Sequence, residues 1–446
     1  MIYRSYRKLR KFVESPRQYL RDVRLKKQIP NLHEVRQSLL AAHVAADSGE
    51  PDLAWSLLEG VPPQLAQKWS LEAKLALYAG DYERSERAAS HAMQLLSPDS
   101  KEFRTAFYMF HEALRFQSKF DQSLASLTDL PFEDSGARYF AALRLGCLGA
   151  RDVGTYERVL LKMQPEHERA WLRARNHHLL LLRDLGRFEC ALQEAALLLS
   201  QVTSSPSGAL RTARPRSGRA ARQWRTKAAT ALQQLQIDLG ACGVDFFLIS
   251  GTLLGCVREG DILGHDTDLD VGVLPAVSMQ TIRQAVENSA RFKYQEVKSE
   301  NTVYLVHLNG VKIDVFRHFD SDGRLCHEGI KSRWWNTPFE LTPMSFLGQE
   351  YFVPADHDLY LTENYGDWRT PVTDFETFID TPNMEVTNSP AMALYFSSRA
   401  IAAYKMGDVE RFIKCYEQFC LQKNKSIPSP KSRVIANQTT QAVRNQ

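Results

Sequence analysis

The stretch Ser250–Val273, reading SGTLLGCVREGDILGHDTDLDVGV, constrains this chain more than any other. It has the pattern of a strand end, a Gly-Thr turn, a short helix and a loop, then a second strand with aspartates at alternate positions. Side chains two apart on a strand share a face. Asp268 and Asp270 therefore project together, Asp266 has the same parity, and Leu269 and Val271 turn toward the core. Carboxylates crowded near a core are costly unless a positive charge compensates them, and a hard divalent cation with oxygen ligands is the natural counter-charge. An acidic turn before a strand is the simpler account of an isolated D-x-D, but the flanking residues argue against it here.

Phe246, Phe247, Leu248 and Ile249 form an apolar run suited to a buried strand, and Ser250-Gly251-Thr252 follows at once. Glycine permits a sharp turn and close approach to a ligand. Thr252 is then expected to cap a helix whose free N–H groups suit a phosphate. Arg258 either reaches the same anion or stands as an exposed helix charge. Downstream, Val311, Ile313 and Val315 alternate with Lys312, Asp314 and Phe316. This puts Asp314 on the polar side of another short strand, as a third carboxylate.

These blocks, with LGQEYFVPADHDLYLTENYGDWRTP at 347–371, resemble the motifs of the LicD and fukutin family over about Gln236 to Pro371. The resemblance implies a nucleotidyltransferase-like α/β (α+β) domain. It also implies transfer of a phospho-alcohol, such as phosphocholine or ribitol phosphate, from a CDP-activated donor to a sugar, with Mg²⁺ or Mn²⁺. On that reading Asp268, Asp270 and Asp314 are catalytic and hold the metal, and Asp314 orients or deprotonates the acceptor hydroxyl. Gly251, Thr252, Arg258, Lys331 and Trp334 are candidates for the donor and its phosphates, and Asp266, Tyr365 and Asp367 for lining the site. Lys331, Arg333, Trp334 and Trp335 place cations beside aromatics, suited to a pyrophosphate and a base, although adjacent tryptophans also cap cores. A structural turn accounts equally for Tyr365 and Asp367. The chain departs from the family pattern at Thr267, where bacterial relatives often have a third aspartate in the run, and at Gly264-His265, where many have Pro-Trp.

A length of 446 residues suggests two or three domains, and 44% hydrophobic with 24% charged residues is a globular composition. No apolar run of membrane-spanning length and no secretory h-region is visible. The seven cysteines are scattered and without C-x-x-C spacing, which fits neither a disulfide framework nor a zinc site, so a cytoplasmic location is expected. Residues 1–27 carry ten Lys or Arg against Glu14 and Asp22, with Tyr3, Tyr6, Leu9, Phe12 and Val13 at helical spacing. That pattern suits peripheral contact with the inner face of an anionic membrane; a solvated helix or a docking arm is the plainer alternative. A net charge of +4 makes no case for nucleic acid.

The expected organisation is a basic segment (1–30), an all-α helical-repeat region (31–202) and a basic flexible linker (203–227). A catalytic domain (228–390), a C-terminal helix pair (391–420) about Gly407-Asp408 and a disordered tail (421–446) follow. In the helical region, Gly80-Asp81-Tyr82, Ser118-Lys119-Phe120, Gly154-Thr155-Tyr156 and Gly186-Arg187-Phe188 recur at steps of 38, 36 and 32 residues. The period resembles tetratricopeptide helix pairs, although most signature positions are missing, and implies a concave surface for a peptide, a protein partner or a glycan. His177-His178 reads as packing rather than metal ligation. The linker carries seven basic residues, Arg211, Arg214, Arg216, Arg219, Arg222, Arg225 and Lys227, and no acidic one. A helix is expected over Ala228–Leu239, another over Ser278–Ala290, and a hairpin about Ser299-Glu300-Asn301.

Three functions follow as expectations. The first is transfer of ribitol phosphate, glycerol phosphate or phosphocholine from a CDP-linked donor to a surface glycan or glycolipid, as in capsule or related polysaccharide biosynthesis, with release of CMP. The second is a nucleotidyltransferase acting on another acceptor, since a fold alone does not choose its reaction. The third is a non-catalytic adaptor, against which three intact aspartates speak.

Overall fold

The computed structural model describes residues 25, 28–29, 31–98, 100–128, 137–163, 168–204, 218–295, 299–372 and 375–426. The amphipathic pattern before residue 25, Arg211, Arg214 and Arg216 of the expected linker, and the tail after 426 lie outside these. The chain divides into two compact units, Met1–Ala113 and Leu114–Gln446.

In the first unit, α1 (Leu32–Asp47) pairs with α2 (Pro51–Glu59), and α3 (Ala66–Tyr78) with α4 (Tyr82–Leu95), before α5 (Lys101–Phe116) begins. Small residues allow close pairing: Ala73, Ala88 and Ala89 are buried together beside Trp69. Gly80 takes the left-handed conformation (φ 74°) between α3 and α4, and the Asp81 carboxylate accepts the Arg84 N–H at 3.0 Å to cap α4.

The second unit opens with α6 (Phe120–Thr128), α7 (Ala137–Ala150), α8 (Val153–Lys162), α9 (Glu168–Asp184) and α10 (Phe188–Ser204). The expected turn at Gly154-Thr155-Tyr156 lies three residues earlier: Arg151 carries the positive φ, 55°. Asp152 accepts the Thr155 N–H at 3.1 Å and so starts α8. His177 stacks on Phe140 and His178 bonds Glu194 at 3.2 Å, both packing roles.

Next comes α11 (Gly218–Gly240), which starts ten residues before the expected Ala228. Two of its basic residues are docked, Arg225 Nε donating to the Ile262 carbonyl at 3.0 Å and Lys227 Nζ to that of Asn309 at 3.1 Å, whereas Arg219 and Arg222 are exposed. The stripe Ala228, Ala231, Leu232, Leu235 and Leu239 is buried as its spacing predicts.

The sheet domain then runs β1 (Phe247–Leu248), α12 (Ser250–Leu254), a single π-helical turn (Gly255–Glu259), β2 (Asp268–Val273), α13 (Met279–Ser289), β3 (Phe292–Gln295), β4 (Thr302–His307) and β5 (Lys312–Arg317). It continues with β6 (Phe319–Ser321), β7 (Arg324–Glu328), β8 (Ser332–Asn336), β9 (Leu341–Phe346), β10 (Gln349–Pro354), α14 (His357–Tyr365), α15 (Thr377–Asp380) and β11 (Met384–Val386). Seven strands form a mixed sheet in the order β3-β4-β5-β2-β1-β10-β9, and four more the order β11-β8-β7-β6. Among the described residues only β2 with β5 and β1 with β10 pair in parallel. Val271, Ile313, Val315 and Val353 fill the core beneath α11 and α13, while the Phe247 ring lies on the opposite face against His318 and Phe339. Phe316, expected on the polar side, is buried because the smaller sheet covers it, with the His327 ring 5.4 Å away.

A hairpin of α16 (Ser389–Met406) and α17 (Val409–Ser426) closes the described chain about Gly407. α17 runs past the expected end at 420, burying Phe412, Cys415, Tyr416, Phe419 and Gln422 along one stripe. The hairpin extends the helical array. α16 packs on α9 and α10, with Ser398 Oγ donating to Asn176 Oδ1 at 2.6 Å. It also holds the loop before β11: Glu376 is buried and pairs with Arg399 and Arg411, and Lys414 meets Asp380 at 2.9 Å. Among the described residues no helix is long and apolar enough to cross a membrane.

Candidate active site

The aspartates meet through strand register. β2 and β5 run side by side, with Asp268 opposite Lys312 and Asp270 opposite Asp314. On the other side of β5, Tyr304 of β4 is opposite Asp314. Residues opposite one another on neighbouring strands share a face, so Asp270, Asp314 and Tyr304 form one row across three strands. Asp268 stands one pleat along β2, with Leu269 and Val271 buried behind as their parity predicts. Asp266 precedes the strand.

The turn leading into α12 closes over Asp270. Ser250 adopts φ 48°, unusual for a residue with a side chain, and the Gly251 amide is hydrogen-bonded to the Asp270 carboxylate. A Cβ on Gly251 would lie 2.7 Å from Asp266 Oδ2 and 3.9 Å from Asp270 Oδ2; the glycine is what lets the carboxylates approach the turn. Thr252 is not a cap. The helix begins two residues earlier, and the buried Thr252 hydroxyl accepts the Asp270 backbone N–H at 2.8 Å. The turn therefore organises the carboxylates before it organises any phosphate.

Burial, then the charges of Asp314, Asp268 and Asp266, push the Asp270 carboxyl well above the usual carboxylate range. Asp314 is also pushed up, by burial and then by Asp268, with Lys312 and Lys331 opposing. The Tyr304 hydroxyl is raised by burial and by the same aspartates. Tyr365 behaves similarly, raised by burial and then by Asp270.

The remaining candidates divide. Lys331 lies within electrostatic reach of Asp314: burial lowers it to about 8, Arg183 adds to the lowering, and Asp314 opposes it. Tyr365, at the end of α14, also faces the aspartates. Arg258 is turned to the protein, its Nη1 donating to the Trp368 carbonyl at 3.1 Å, which holds the turn after Tyr365. Asp367 is exposed and accepts the Thr370 hydroxyl at 2.7 Å, a turn role. Trp334 stacks on buried His327 at 5.3 Å and lies 5.7 Å from Phe378, so one ring face is already covered. Tyr304 escaped the sequence reading because its strand shows no polar alternation; only its pairing with β5 reveals it.

Residues 243–356 match the family model described as LicD/FKTN/FKRP, nucleotidyltransferase domain. They form a LicD/fukutin-family domain. Curated relatives include the ribitol-5-phosphate transferase FKTN of Homo sapiens, 25% identical over 310 residues, covering 67% of this chain and 61% of the relative. That of Macaca fascicularis is 24% identical over the same length and coverage, and that of Mus musculus 24% over 302 residues, covering 63% and 58%. The match thus spans less than two thirds of each relative.

Within the LicD/fukutin domain the donor set suits a hard divalent cation: oxygen ligands only, crowded until two carboxyls are driven toward protonation. Among the described residues no three His, Cys, Asp or Glu side chains are placed so that together they could hold a metal ion, so the fit to a cation rests on the chemistry of the carboxylates that share this face.

Proposed function

We propose that this chain is a transferase that moves a phospho-alcohol, ribitol phosphate foremost, from a CDP-activated donor to a hydroxyl of a glycan and releases CMP. The observation that carries it is the Asp270–Asp314 pair at one register of adjacent parallel strands, with Asp268 on the same face. The activity these relatives are named for, ribitol-5-phosphate transfer, supports the choice of alcohol; glycerol phosphate and phosphocholine are the other candidates.

Asp268 and Asp270, with Asp314, would hold Mg²⁺ or Mn²⁺, which would neutralise charge on the donor phosphates. The acceptor hydroxyl attacks the phosphorus that bears the alcohol, the bond from that phosphorus to the CMP oxygen breaks, and CMP leaves. Asp314, raised by its surroundings, takes the hydroxyl proton. Tyr304 and Tyr365 wall the site and limit water. The helical region is read as tetratricopeptide-like, with a partner or glycan on its surface. The seven cysteines, all unpaired, favour a reducing compartment, consistent with cytoplasmic work at the inner face of a membrane.

The test is CMP release by purified protein with Mg²⁺ or Mn²⁺ from CDP-ribitol, CDP-glycerol and CDP-choline, with and without a surface-glycan extract. Acceptor-dependent CMP from one donor, abolished in Asp268→Asn, is the expected result. Pyrophosphate release from CTP or ATP in its place would replace this reading with nucleotidyl transfer.

A further inference from the structure

The reaction proposed above handles phosphate esters, yet the row on β2, β5 and β4 is acidic. Beyond Lys312 of β5, which is opposite Asp268, positive charge has to come from other elements. Lys331 supplies one: its Nζ lies 4.1 Å from the ring centre of Phe378 and 4.9 Å from that of Tyr395. Among the described residues no carboxylate stands within ion-pair distance of it. Tyr395 belongs to α16, the helix that packs on α9 of the array.

A second cation comes from that array. Asn176 of α9 accepts the hydrogen bond from Ser398 of α16, and the residue about two helical turns further along the same stripe is Arg183. The stripe that contacts α16 therefore carries Arg183 as well. Its charge is felt at two points of the site: it opposes protonation of Lys331 and favours ionisation of the Tyr304 hydroxyl. Asp184 accepts from Arg183 Nε at 2.8 Å and Nη2 at 2.6 Å and is paired with Arg144 too, so two guanidinium groups share one carboxylate and the cluster keeps a net positive charge.

We propose that Arg183 of the helical array and Lys331 at the edge of the smaller sheet form a subsite beside Asp314 that binds a phosphoryl group of a substrate. The array is then a wall of the catalytic site in addition to any surface it offers a partner. A guanidinium fork next to an ammonium matches the geometry of phosphate oxygens. The phosphoryl group comes either from the donor's pyrophosphate or from a phosphate already on the acceptor glycan. That choice of substrate rests on the transferase reading; the anion subsite itself does not.

Calorimetric titration of inorganic pyrophosphate into the full chain, wild type against Arg183→Gln, Arg183→Lys and Lys331→Met, tests the subsite without turnover. Arg183→Gln is expected to bind about tenfold more weakly, as loss of one charge-assisted contact implies, with partial recovery in Arg183→Lys. Equal binding by wild type and Arg183→Gln would overturn the subsite, as would a lowered melting temperature with unchanged binding. If Arg183→Gln does not fold, Lys331→Met carries the same test. In transfer assays, Arg183→Gln should raise KM for one substrate more than it lowers kcat, and the substrate affected identifies the source of the phosphate. Pyrophosphate binding without transfer from any donor would remove the transferase reading and keep the subsite. Normal transfer kinetics in Arg183→Gln would do the reverse.

Discussion

The Thr252 hydroxyl accepts the backbone N–H of Asp270 at 2.8 Å, so the residue after the turn glycine fastens the strand that bears the buried carboxylate. Thr252→Val keeps the shape and removes the acceptor. Leaving that N–H unpaired is expected to cost about 1–3 kcal/mol and to lower transfer activity. Thr252→Ser should retain both. Denaturation midpoints and CMP release check this; a valine variant as stable as wild type would remove the tether from the account.

Asp270→Asn exchanges activity for stability. In metal-free protein it relieves the repulsion from Asp314, Asp268 and Asp266, so its melting temperature is expected to rise. Transfer should fall on the order of a hundredfold or more. The sign with pH follows. A carboxyl whose folded pKa is raised binds more protons folded than unfolded, so its penalty develops as pH rises from about 4 through the folded value. Wild-type metal-free protein should lose stability on that rise, and the asparagine variant should lose less. Adding Mn²⁺ should stabilise wild type more than the variant.

Two buried imidazoles work in the opposite sense. The His318 and His327 rings lie 4.7 Å apart; burial lowers His318 to about 4 and His327 further below its usual value, with His318 adding to the latter. Their neutral forms contribute stability that is complete above about pH 6.5 and is lost as pH falls from there toward 4. For His318 this amounts to roughly 3 kcal/mol over that window. His327→Gln should flatten the acid limb of a stability–pH profile recorded by urea unfolding. An unchanged limb would place the acid sensitivity elsewhere.

Gly272 sits where a Cβ would come within 2.6 Å of the Phe247 ring and of His318 Cε1. Gly272→Ala is therefore expected to overpack the sheet and to cost about 1–3 kcal/mol. Gly240→Ala, where a Cβ would meet nothing within 4 Å, is the control and should be neutral or slightly stabilising.

Local pattern carried much of this site. Alternation over Asp268–Val273 and Lys312–Arg317 was enough to turn Asp268, Asp270 and Asp314 to one side of their strands, because period two is a property of each strand alone. Which strands are neighbours is not. The register that sets Asp270 opposite Asp314 on one side, and Tyr304 opposite Asp314 on the other, depends on a parallel pairing with β4 outside it, and no residue in either strand announces that order. The same holds for Thr252, whose spacing suits a helix cap until the strand beside it claims the hydroxyl. Arg183 was invisible for a simpler reason: an arginine near the end of an amphipathic helix looks solvated, and only the packing of α16 on α9 gives it a direction.

The edge of the smaller sheet bears on how this chain can be cut. β8 is paired on its outer side by β11, which lies beyond the matched residues 243–356, as do Tyr360 and Leu361 of the core. The loop before β11 is in turn clamped by Arg399, Arg411 and Lys414 of the final hairpin. The LicD/fukutin segment is therefore not a cassette that recombination or expression cloning could lift out whole. Its edge is paired by β11 and braced by α16 and α17, and a boundary drawn where the family match ends would expose an open strand.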